Sequence, residues 1–93
     1  MAGAGAIEWV QLDGFGMITG KPFRGTAAEL RAHLLADQPD GAVQGPVLTP
    51  VYIRSLVAKV PCPLITLTTP WGTTRWIPRP GNPRRRLSDH LLL

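Results

Sequence analysis

The chain has 93 residues, which makes one small domain with one modest core and no cleft between domains. Its net charge of +4 is unevenly placed: residues 1–40 carry Lys21, Arg24 and Arg31 against Glu8, Asp13, Glu29, Asp37 and Asp40, a net −2, while the rest carries seven cations against Asp89 alone, a net +6. A single cysteine excludes an internal disulfide, no run approaches the roughly 18 apolar residues of a membrane span, and no signal peptide is legible, so a cytoplasmic protein is expected.

Residues 1–6 are small and read as a fraying tail. Ile7–Leu12 and Phe15–Thr19 flank Asp13-Gly14, a hairpin signal because both turn positions favour φ > 0. A short helix with Trp9 and Leu12 on one face is the alternative for the first of these. Gly20-Lys21-Pro22 ends the hairpin, and it lacks the rest of a phosphate-loop motif. Thr26 and Glu29 form a capping box, which predicts a helix over Ala27–Ala36 with Leu30, Leu34 and Leu35 on its buried stripe. His33 lies beside that stripe and reads as a packing residue, not a ligand. Asp40–Leu48 reads as a Gly/Pro-rich loop.

Thr49 is a good N-cap, and Pro50 suits the first helical position. Ile53, Leu56, Val57 and Val60 recur with helical spacing, so a second helix is predicted up to Val60, stopped by Pro61 and Pro63. Its other face holds Val51, Arg54, Ser55, Ala58 and Lys59, small and cationic. Leu64–Thr69 and Thr73–Ile77 read as two strands joined at Pro70-Trp71-Gly72. Trp71 then sits at the tip, free to enter a groove or stack on a base, or else folded back on the hairpin or Phe15. Trp76 is expected inward, with Arg75 beside Trp71. After Pro78–Pro83, Asn82-Pro83 again resembles a helix start. Arg84, Arg85 and Arg86 would open a short terminal helix with Leu87 and Leu91 on one face, or belong to a disordered basic tail.

Cys62, His33 and His90 are too few and scattered for a metal site. Ser55 and Ser88 lack the glycines of a nucleophile motif, and the acids lie almost wholly in the first half. No enzymatic activity, cofactor, metal or small-molecule substrate is expected.

The helix from Gly25-Thr26-Ala27-Ala28-Glu29-Leu30, the helix Leu48–Val60 and the hairpin Leu64–Pro78 together resemble the winged-helix modules of small phage or plasmid proteins. The expected fold is therefore α+β and winged-helix-like: an N-terminal β-hairpin, two main helices and a C-terminal β-hairpin wing over residues 1–80, then a basic tail over 81–93. The resemblance implies binding of double-stranded DNA, with the second helix in the major groove. Arg54, Ser55, Lys59, Trp71, Arg75, Arg79, Arg84, Arg85 and Arg86 are the expected contacts, and a dimer would double the site. The rival expectation is a small phage-type inhibitor or adaptor. It would bind a protein partner through Trp71, the hairpin and the Leu-rich C-terminus.

Overall fold

A computed structural model of the chain describes residues 6–81. Five strands and one helix follow in order: β1 (Ile7–Leu12), β2 (Ile18–Gly25), α1 (Ala27–Asp37), β3 (Ala42–Ile53), β4 (Ala58–Thr69) and β5 (Gly72–Pro78). The strands form one antiparallel sheet in the order β2-β1-β5-β4-β3. The helix connects the two edge strands and packs on β2, β3 and β4.

Two expected elements form from local chemistry. The Thr26 hydroxyl accepts from the Glu29 N–H at 3.1 Å, and the Glu29 carboxylate accepts from the Thr26 N–H at 2.8 Å. That closed capping box starts α1. At the other end of the chain, Thr69 pairs with Gly72, leaving Pro70-Trp71 as the turn between β4 and β5. The Thr69 hydroxyl accepts from the Trp71 N–H and donates to the Gly72 carbonyl, both at 3.2 Å, which holds the turn. The first hairpin also forms, but Asp13-Gly14 does not make a two-residue turn. The connection spans Asp13–Met17, the Asp13 carboxylate accepts from the Phe15 and Met17 N–H groups, and Gly16 takes the positive φ. Gly20-Lys21-Pro22 does not end β2, which runs on to Gly25.

The winged-helix expectation is not met. No second main helix exists among the described residues: Leu48–Ile53 belongs to β3, Arg54–Leu56 is one turn of 3-10 helix, and Ala58–Val60 already belongs to β4. Val51, Tyr52, Ile53, Val57 and Val60 are poor helix formers and good strand formers, and tertiary pairing decides the outcome. The prolines fit the strands too. Pro50 faces Pro61 across the ladder. Neither has an N–H to exchange, so this is a non-hydrogen-bonded pair, where the missing donors cost the ladder nothing.

The core has two halves, one on each face of the sheet, as the period-2 alternation requires. Trp9, Ile65, Leu67 and Trp76 face α1 and close on Leu30 and Leu34. Val10, Leu12 and Ile77 face the other way, where there is no helix, and meet Val51, Ile53 and Cys62. Strands β1 and β3 are not neighbours in the sheet, so these contacts require β3 and β4 to fold back. They do so past Ile65, the last β4 residue paired with β5. From there Ala58–Leu64 pairs only with β3, and the two-stranded ribbon curls over the second face. Its tip reaches the Asp13–Met17 connection, where the Arg54 N–H donates to the Gly16 carbonyl at 2.9 Å.

Cys62 lies inside this fold-over, 7% exposed, with its thiol 3.3 Å from the Val60 carbonyl. Burial pushes the thiol pKa up. The unfolded chain therefore releases this proton first, so stability falls only as pH rises past the ordinary thiol value of about 8.5, and nothing changes near neutrality. Iodoacetamide at pH 8 should label the native chain at least tenfold more slowly than the urea-unfolded chain. Equal rates would place Cys62 outside the fold-over.

Candidate protein-binding face

The folded-back ribbon has an inner and an outer face. Val51, Ile53, Val60 and Cys62 point into the core. By alternation the cross-strand pairs Leu48–Pro63, Pro50–Pro61 and Tyr52–Lys59 point outward, and all six residues are exposed. Leu48 is 72% exposed. The outer face is thus a contiguous, proline-stiffened apolar strip with one charge, Lys59. Single exposed apolar side chains are ordinary on a protein surface, but a contiguous strip of them is the mark of a contact surface.

The strip ends at the ribbon tip, which adds Arg54, Ser55 and Val57, all exposed. Val57 adopts φ 50°, ψ 45°, and is 77% exposed. For a β-branched residue this left-handed conformation is costly, on the order of 1–2 kcal/mol, and it buries nothing in return. Strain of this kind collects at contact and switch sites. Val57→Gly should raise stability by about 0.5–1 kcal/mol, less than the strain relieved because glycine also loosens the unfolded chain. The urea midpoint reads this directly, and a lower midpoint would show that the valine is not strained.

The tip rests on the first connection. A Cβ added at Gly16 would lie 2.8 Å from the Tyr52 carbonyl oxygen and 2.9 Å from the Tyr52 ring. Phe15, beside it, is 75% exposed. At the same end of the sheet the β4–β5 turn presents Trp71, 83% exposed. Trp71 is therefore at an exposed tip, as expected, and is not folded back.

The expected phosphate-binding cations do not gather on one helix. Arg54, Ser55 and Lys59 come together at the ribbon tip. Arg75 leaves Trp71 and turns inward, its guanidinium donating to the Asp13 carbonyl at 2.7 Å. Arg79 pairs with the Glu8 carboxylate, and its N–H donates to the Glu8 carbonyl. Arg31 donates to the Gly45 carbonyl at the β3 bulge. Arg84, Arg85 and Arg86, with the predicted terminal helix, lie outside the described residues. His33 stacks on Phe23 at 5.0 Å between ring centroids, and no metal-binding cluster occurs among the described residues. No helix of the described residues is long and apolar enough to cross a membrane.

The sequence singles out Arg54, Lys59 and Trp71 as candidates but places Leu48 in a loop and reads Pro50, Pro61 and Pro63 as helix punctuation, whereas all four are exposed on β3 and β4. The signal was present: Val47, Thr49, Val51 and Ile53 alternate with them, and Pro61 and Pro63 repeat at a spacing of two. No family model, curated protein or solved structure matches this chain.

Proposed function

We propose that the chain is a non-enzymatic protein-binding module, an adaptor or inhibitor that docks through the outer face of the β3–β4 ribbon. One observation carries this: Leu48, Pro50, Tyr52, Lys59, Pro61 and Pro63 are all exposed on one side of a ribbon whose other side is core. Prolines on strands hold the face rigid before binding, so little conformational entropy is lost on contact. Arg54 and Tyr52 at its end are residue types that dominate binding energy when desolvated. Among the four described cations after Gly41, Arg75 and Arg79 are engaged within the domain, which favours this over a duplex footprint.

A photo-crosslinking residue placed at Tyr52 should trap a protein partner in the source cells, and the same residue at exposed Ala28 on α1 should not. Random duplex at low salt should show no mobility shift at micromolar protein. The opposite pair of results would overturn the reading in favour of nucleic acid. Those results are a retarded duplex whose salt slope falls by about one unit for each of Arg54→Ala and Lys59→Ala, and no Tyr52-specific crosslink.

A further inference from the structure

The ribbon has two long edges, and they are not equivalent. Because Pro50 and Pro61 form a non-hydrogen-bonded pair, residues 48, 50 and 52 of β3 and 59, 61 and 63 of β4 turn their main-chain groups away from each other. On the β4 side, where β5 has left, two of the three outward positions are proline. That edge offers one donor, Lys59, and is blunted against pairing. On the β3 side only Pro50 lacks a donor.

The β3 edge is also closed at both ends. Arg31 caps the Gly45 carbonyl at one end. At the other, the Arg54 N–H bonds Gly16, and the Tyr52 carbonyl faces the same glycine. Between these closures lie the Leu48 and Tyr52 N–H groups and the Leu48 and Pro50 carbonyls. None of the four has a hydrogen-bond partner outside the β3–β4 ladder among the described residues, and by the pairing type they point away from it. The gap is one short strand long.

We propose that this gap accepts an extended acidic segment of the partner protein, added as a sixth strand along Leu48–Tyr52. This rests on the protein-binding reading above and names what fills the face. The added strand can make four main-chain hydrogen bonds, two received and two donated, in the manner of other strand-addition complexes. Its alternate side chains lie beside Leu48, Pro50 and Tyr52, on the face that also carries Lys59, and there the acidic residues fall. The charges on the strip and tip are Lys59 and Arg54, no carboxylate occurs from Gly41 to Ser88, and the Asp13 carboxylate in the connection beneath the tip is taken up by the Phe15 and Met17 N–H groups, so the occupant is acidic. A second copy of this chain is the poorer occupant. Joining Leu48 of one copy to Tyr52 of another sets Pro50 against Pro50, where no bond forms, and both copies carry the same cations.

The test uses a fluorescein-labelled peptide, Glu-Val-Glu-Val-Glu-Val-Glu, with the full chain. Binding should protect the Leu48 and Tyr52 amides from hydrogen exchange. Leu48→Pro, which keeps an apolar side chain but removes a donor, should weaken binding at least tenfold. Leu48→Ala, which keeps the donor, should weaken it less. Circular dichroism should show both variants folded. Should Leu48→Pro fail to fold, the same peptide N-methylated on alternate residues replaces it and should lose binding at least tenfold. A peptide with lysine for glutamate should not bind. Binding that is indifferent to Leu48→Pro or to N-methylation would overturn strand addition while leaving face docking intact. Absence of peptide binding up to millimolar concentration, or protection of the two amides by self-association alone, would overturn the inference as well. The Tyr52 crosslink decides the broader reading separately.

Discussion

Gly45→Ala is expected to cost about 3 kcal/mol or more and to lower the melting temperature by more than about 10 °C. Gly45 has φ +100°, and a Cβ there would sit 2.2 Å from the Leu64 carbonyl oxygen. The oxygen is main chain, and the Cβ position is fixed by the Gly45 main chain, so neither yields without shifting the ladder. The position matters because Gly45 and Pro46, between Gln44 and Val47, stand together opposite the single residue Ile65, so β3 carries one extra residue there. Before the bulge Val43 faces α1, and after it Val51 and Ile53 face the other core half. One bulge thus transfers the odd-numbered residues of β3 from one face to the other, which is what lets the ribbon fold back. Gly14→Ala is the control: nothing lies within 4 Å of its Cβ position, and the change should stay within about 0.5 kcal/mol of neutral. Thermal melts of the two variants give the comparison. Equal melting temperatures would mean that the bulge does not hold the register.

Trp9→Ala should be more damaging still, removing about 3–5 kcal/mol from a domain whose total stability lies near the lower end of about 5–15 kcal/mol. Trp9 is 2% exposed, fills the space between α1 and the centre of the sheet, and donates from Nε1 to the Gly25 carbonyl at 3.2 Å. The variant should be largely unfolded at 37 °C by near-ultraviolet circular dichroism. Trp76 separates packing from hydrogen bonding. It is buried in the same cluster, but its Nε1 has no partner among the described residues. Trp76→Phe removes a buried unpaired donor, so it should cost less than Trp9→Phe by about 1 kcal/mol. A reversed order in urea titrations would show that the Trp9 bond contributes little.

The parts of the fold that were legible are those decided within a few residues. Thr26 and Glu29 close their box whatever the rest does, and Thr69 with Gly72 closes its turn. The strand at Ile7–Leu12 carries apolar residues on both sides, Trp9 toward α1 and Val10 with Leu12 toward the other core half, because it is an inner strand of the sheet. The stretch from Thr49 to Val60 was not legible, because two periods coexist in it. Ile53, Leu56, Val57 and Val60 fit a helical stripe. Val51 and Ile53, then Val60 and Cys62, fit two strands facing one core. Pro50 and Pro61 read equally well as helix punctuation and as a donorless strand pair. Only the partner strand settles the matter, and sequence periodicity carries no information about pairing. The proposed binding face was not legible for the same reason. Exposed Leu48 and Tyr52 are surface only if Val51 and Ile53 are buried in a ribbon, whereas a helix distributes the same residues differently.

A nuclear Overhauser spectrum of the full chain tests the folded-back ribbon most directly. Gly16 lies against the Tyr52 ring, and Tyr52 stands opposite Lys59 on the neighbouring strand. Cross-peaks from the Gly16 Hα protons to the Tyr52 ring, with cross-strand peaks between Tyr52 and Lys59, are the predicted result. A ladder of contacts between residues three apart from Val51 to Val60, with no Gly16–Tyr52 peak, would restore the helix and remove the proposed binding face.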